Sequence, residues 1–191
     1  MRLYQLLPIL VLAACSPGSD LPMLPTVSST DYRLGAGDAV RIITFGEESL
    51  TGEFRVNDSG SIALPLLGPV RSAGLTPAEL ETSVMTALKR GNLLRNPSVS
   101  VEVVTYRPIF VLGEVNRPGQ YPYQPGMTVV TAAAVAGGFT YRAVEGYASV
   151  VRTPVAVSMG GTAMGDPIEG KAVRQAYVQP GDVITILERR F

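Results

Sequence analysis

Leu34-Gly35-Ala36-Gly37-Asp38-Ala39-Val40-Arg41-Ile42 and, near the other end of the chain, Gln179-Pro180-Gly181-Asp182-Val183-Ile184-Thr185-Ile186-Leu187 are two versions of one pattern. Each places Gly-Asp directly before a β-rich run. The glycine permits a tight turn, and the aspartate can accept hydrogen bonds from nearby backbone amides at the strand entrance. The echo implies short strands entered through tight turns, with the two ends bracketing the fold.

Working outward from the first copy, residues 40–45 read as a strand. Residues 53–57 and 61–64, joined by Asp58-Ser59-Gly60, read as a hairpin, after which Pro65 and Pro69 interrupt the regularity. At Thr76-Pro77-Ala78-Glu79 the signals agree: an N-cap, a proline at the first helical position and a glutamate placed to close a capping box. Leu80, Val84, Ala87 and Leu88 then recur at helical spacing until Gly91, so a helix is predicted over 77–90. Val99, Val101 and Val103 alternate with polar residues, which predicts a strand with one buried face.

Arg107-Pro108 marks a boundary. Beyond it, strands are predicted at 109–115, 120–123 and 147–152, with a short helix capped by Thr128 and stopped by Gly137-Gly138. The glycine-rich stretch 153–170 has no period and reads as a long loop.

Composition narrows the function. The 191 residues carry 16 basic and 16 acidic side chains, so there is no bulk electrostatic case for nucleic acid. The chain has no histidine and one cysteine, which removes Ser-His-Asp, Cys-His and His-ligated zinc chemistry. Carboxylate-only catalysis stays open; no metal or cofactor is expected. Three motif matches carry little: Gly35-Ala36-Gly37 lacks the third glycine and following helix of a dinucleotide fingerprint. Glu47-Glu48 reads as a solvated loop, and Asn57-Asp58-Ser59 as a turn.

The amino terminus reads as an address. Met1-Arg2, the apolar run 3–12 and Ala13-Ala14-Cys15 have the layout of a signal peptide spanning 1–14. The apolar run is shorter than the roughly 20 residues of a spanning helix. Leu12-Ala13-Ala14-Cys15 resembles the lipobox of bacterial lipoproteins, which implies lipidation at Cys15, and Ser16 in place of aspartate favours the outer membrane. Residues 15–30, rich in proline and small polar residues, then read as a lipid-anchored tether.

The ordered set of motifs resembles a known family. Tyr32 to Asp38 with its strand, Ile62-Ala63-Leu64-Pro65-Leu66-Leu67-Gly68, the 77–90 helix and Asn96-Pro97 to Val103 look like the export domain of Wza-type polysaccharide biosynthesis/export lipoproteins. Val111-Leu112-Gly113-Glu114-Val115, Arg117-Pro118-Gly119, Gly126 and Ala136-Gly137-Gly138 look like the soluble ligand-binding β-grasp (SLBB) domain that follows it. The resemblance implies an α+β chain with an export domain at 31–105 and an SLBB domain at 106–153. A loop and C-terminal strand then occupy 154–191, the strand returning to the first domain. Gly35, Gly37, Asp38, Gly113, Pro118, Gly119, Gly137, Gly138, Gly181 and Asp182 are its turn residues.

It also implies a function: a non-enzymatic, periplasm-facing outer-membrane lipoprotein that assembles with itself as a ring and conducts exopolysaccharide or capsular polysaccharide. Its expected partners are the polysaccharide, an inner-membrane polysaccharide copolymerase and, because the chain stops at Phe191 without the family's C-terminal transmembrane helix, a separate outer-membrane β-barrel. Tyr106, Arg107, Arg117, Tyr121, Tyr123, Tyr141 and Arg142 are candidates either for polymer contact or for subunit packing. Two alternatives remain: a monomeric lipoprotein that binds a cell-envelope glycan, and a glycoside hydrolase using two carboxylates.

Overall fold

The computed structural model describes residues 17–18, 20–27, 32–158 and 161–189. Cys15 and the expected signal peptide lie outside the described residues. The amino-terminal half forms β1 (Ala39–Thr44), β2 (Gly52–Arg55), β3 (Ser61–Leu64), β4 (Gly68–Arg71), α1 (Pro77–Arg90) and β5 (Val99–Thr105). β1 lies between β2 and β5, antiparallel to both, while β3 and β4 make a separate hairpin.

α1 begins as its sequence dictates. The Thr76 hydroxyl accepts from the Glu79 amide at 3.2 Å and the Glu79 carboxylate accepts from the Thr76 amide at 2.8 Å. Leu80, Val84 and Leu88, four residues apart and no more than 1% exposed, lie on one face of this helix. They share a core with Leu34, Val40, Ile42 and Val101.

The Thr76 amide, and after it the Arg33 guanidinium 3.1 Å away, hold the Glu79 carboxyl below its ordinary range. Because the folded-state pKa is the lower one, this stabilisation is present above the unfolded-state pKa and lost as pH falls through the folded value. Glu79→Gln, which can still reach the Thr76 amide, should therefore flatten the acid limb of stability against pH, measured by urea unfolding between about pH 5 and 2. An unaltered slope would contradict this account of the cap.

The carboxy-terminal half forms β6 (Ile109–Gly113), β7 (Gly119–Tyr121), α2 (Val129–Val135), β8 (Tyr147–Arg152), β9 (Val155–Ser158), β10 (Gly161–Met164), β11 (Ile168–Val173) and β12 (Val183–Ile186). Five of these strands make one mixed sheet in the order β11-β8-β12-β6-β7. A second core of Ile109, Val111, Val150, Ile184 and Ile186 is sealed by Ala132 and Ala133 of α2. The whole is therefore mixed α and β, and among the described residues no helix is long and apolar enough to cross a membrane.

Several details differ from the sequence expectations. The C-terminal strand does not return to the first domain: β12 pairs in parallel with β6 and antiparallel with β8. Ile184 and Ile186 are at most 1% exposed there, so the second core takes the strand because it supplies that core's central side chains. The expected 153–170 loop contains the β9–β10 hairpin and the start of β11, which pairs with β8 along its six residues. Small residues on short strands leave little periodicity to read.

The first expected hairpin is also split. β2 pairs with β1 and β3 with β4, so the Asn57–Gly60 turn changes sheets, and Pro69 sits within β4, where it faces Ala63. A strand paired on one side only tolerates the missing amide. Finally, part of the expected tether is integral. The Lys171 amide donates to the Pro22 carbonyl at 2.7 Å, the Leu24 amide donates to the Lys171 carbonyl at 2.9 Å, and Leu24 enters the second core. Pairing to the free edge of β11 satisfies backbone groups that an edge strand leaves open.

Candidate functional site

The two Gly-Asp sequences adopt the same turn. In the first, the Asp38 amide donates to the Gly35 carbonyl at 3.1 Å and Asp38 Oδ2 accepts from the Gly35 amide at 2.7 Å. In the second, Asp182 repeats both bonds with Gln179 at 3.0 and 2.7 Å. Gly37 and Gly181 hold φ of 97° and 89°, the left-handed conformation a type II turn needs at its third residue, and Pro180 presets the second.

Both aspartates are at most 1% exposed, and a buried carboxylate must be paired. Asp182 takes a bidentate pair from Arg152, Nε to Oδ1 at 2.9 Å and Nη2 to Oδ2 at 2.6 Å. Asp38 is held differently: it accepts from the Arg107 amide at 2.8 Å and from the Tyr32 hydroxyl, with Arg107 Nε 3.4 Å away. Burial first, then the Asp38 carboxylate, pushes the Tyr32 phenol far above its ordinary range, so the hydroxyl stays a donor. A Cβ on Gly35 would lie 2.2 Å from Arg107 Nη1, so the guanidinium packs directly on the Gly35 backbone.

These contacts join the two halves. Tyr106 stacks edge-on between Tyr32 and Tyr123, at centroid distances of 5.0 and 5.4 Å. Burial raises the Tyr106 and Tyr123 phenols as well. Beside the aromatic stack opens a cavity of about 250 Å³. Its lining mixes polar residues, Tyr32, Arg33, Arg107, Arg152, Thr153 and Gln179, with apolar ones, Pro25, Val27, Pro154, Ile168 and Pro180.

The seven candidate contact residues divide into three groups. Tyr106, Arg107 and Tyr123 meet at this junction. Arg117 and Tyr121 lie in the β6–β7 region, where the Tyr121 hydroxyl donates to the Arg117 carbonyl and the Arg117 amide donates to the Ala136 carbonyl at 2.8 Å. Tyr141 is 87% exposed, and Arg142 pairs with Glu188.

The remaining turn residues are local. Gly137 and Gly138, with φ of 87° and 86°, close α2 by donating to Ala134 and Ala133 as a Schellman motif. Pro118 and Gly119 lead into β7, and Gly113, with φ of 79°, ends β6. Sequence reasoning missed Arg152, Arg33 and Tyr32. Arg152 could have been found: it shares an otherwise apolar strand face with Ala148 and Val150, where a cation requires a buried anion.

Residues 26–104 match the family model of polysaccharide biosynthesis/export proteins, and residues 108–167 match that of the SLBB domain. Over 119 residues the chain is 34% identical to the exopolysaccharide production protein ExoF of Rhizobium meliloti (strain 1021), covering 56% of this chain and 28% of ExoF. It is 29% identical over 136 residues to the EPS I polysaccharide export outer membrane protein EpsA of Ralstonia nicotianae, covering 58% of this chain and 35% of EpsA. It is also 29% identical over 110 residues to the polysialic acid transport protein KpsD of Escherichia coli, covering 56% of this chain and 20% of KpsD. The matched region spans about a third or less of each relative's length.

Proposed function

The chain belongs to the polysaccharide biosynthesis/export protein family, and from that premise we propose that it is a lipid-anchored, periplasm-facing component of the outer membrane that conducts a surface polysaccharide out of the cell. In this reading copies of the chain form a ring, the polymer passes through, and no bond is made or broken. An inner-membrane polysaccharide copolymerase delivers the polymer, and a separate outer-membrane β-barrel completes the exit. EpsA's name specifies export at the outer membrane and KpsD's the transport of polysialic acid, which supports polymer transport as the class of activity.

The observation that carries the reading is the succession of an export unit and an SLBB unit in one chain, joined by the Asp38–Arg107 and tyrosine contacts. The chemistry of the buried carboxylates agrees with a conduit: Asp38 and Asp182 are engaged by backbone amides and arginine, which suits them to hold turns.

Deleting the gene should abolish surface polysaccharide or trap it inside the cell, and unchanged surface polymer would refute export. Cys15→Ser should leave an unprocessed or mislocalised protein, seen as altered migration and membrane fractionation; normal processing would refute lipidation. A persistent monomer in native mass measurements, even with the copolymerase present, would sink the ring and favour the glycan-binding alternative.

A further inference from the structure

We propose that the cavity between the two units binds a single carboxylate-bearing sugar, a uronate unit of the exported polymer; this rests on the export reading above. Among the described residues, the cavity is lined by Arg33, Arg107 and Arg152 and by no carboxylate-bearing residue. Their partners Glu79, Asp38 and Asp182 all lie outside the lining. Formal charge in the cluster cancels, so net charge is not the attraction. The attraction is unspent donors.

Arg107 Nε is buried 3.4 Å from Asp38 Oδ1 and is not open to the cavity. Among the described residues, Nη1 of Arg107 and Nη1 of Arg152 donate no hydrogen bond, while the remaining outer nitrogens and Arg152 Nε face Asp182 or the carbonyls of Arg33 and Tyr177. Arg152 itself is built in, with 7% of its side chain exposed. A guanidinium edge with free N–H groups matches a carboxylate in geometry as well as sign.

The lining also includes Val27, Pro154 and Ile168, apolar side chains that suit the C–H face of a sugar ring. At about 250 Å³ the space is smaller than the roughly 300 Å³ where drug-sized ligands begin to fit, which limits the occupant to about one ring. Because Arg107 and Arg152 already share their charge with aspartates, binding is weak, in the millimolar range, and release is fast, as a moving polymer requires.

The test is an NMR titration of the full ¹⁵N-labelled chain in detergent micelles, at constant ionic strength, with sodium glucuronate, glucose and inorganic phosphate in turn. Glucuronate should give saturable shifts at the amides of Arg107, Thr153 and Gln179, and glucose should not. Arg33→Gln removes a cavity donor whose own ion pair is surface-exposed, and it should weaken glucuronate binding by about fivefold or more. Failure to saturate, equal response to glucose or phosphate, or unchanged affinity in Arg33→Gln would overturn the assignment. If glucuronate does not bind while gene deletion still removes surface polysaccharide, this assignment fails alone; if deletion changes nothing, the export reading fails whatever the titration shows.

Discussion

Asp182→Ala should destabilise the carboxy-terminal unit by about 3–5 kcal/mol, the usual cost of leaving one member of a buried ion pair without its partner. Arg152, with 7% of its side chain exposed, would keep its charge and lose both of its bonds to the carboxylate. The Gln179 amide would lose its acceptor as well, so the turn that introduces β12 loosens at the same time. Urea unfolding followed by hydrogen exchange should show the loss in β6, β8 and β12, the strands that share the second core, and much less in α1.

The pairing, more than the charge itself, sets this cost. Arg152→Met in the Asp182→Ala background should recover part of the loss, because an apolar side chain of similar length removes the orphaned cation. If Asp182→Ala costs under about 1 kcal/mol, the pair is not the element that holds the strand entrance.

Gly113→Ala should be nearly as damaging, at about 3 kcal/mol or more, for a reason rooted in backbone geometry. A Cβ at this position would stand 2.1 Å from the Ile186 carbonyl oxygen and 3.0 Å from its carbon, and φ is already 79°. Backbone cannot swing aside as a side-chain tip can. Relief requires β6 and β12 to part at their paired ends, where the Glu114 amide donates to that same carbonyl at 2.9 Å.

Gly126→Ala supplies the comparison. Its φ of 82° is similar but nothing lies within 4 Å of the new Cβ, so only the conformational cost of about 1–2 kcal/mol applies. Thermal unfolding of the two variants should separate steric clash from backbone strain, and equal losses would show that the close approach of β12 contributes nothing.

Both variants act on the contacts that place β12 in the middle of the second sheet, and the cavity wall depends on that placement. Gln179 and Pro180 reach the cavity through the turn that Asp182 closes, and Arg152 reaches it from the end of β8. Stability of the strand and shape of the cavity are therefore coupled in this fold.

By itself, the amino-acid sequence determined what depends on neighbours a few residues away. The capping box at Thr76 and Glu79, the apolar stripe Leu80–Val84–Leu88, the Gly137-Gly138 stop and the two Gly-Asp turns all form through hydrogen bonds or packing within one or two turns of chain. The ordered succession of these motifs also sufficed to identify the family.

Tertiary structure alone decided the partners. Nothing local tells Asp38 to take the amide of Arg107, 69 residues on, or Asp182 to take the guanidinium of Arg152, 30 residues back. Nor does a run such as Val183-Ile184-Thr185-Ile186 state which sheet receives it; the place goes to the core where Ile184 and Ile186 are fully enclosed, between β6 and β8. Local hydrogen bonds are set by spacing along the chain, whereas strand order and buried charge pairing are set by which distant surfaces exclude water together.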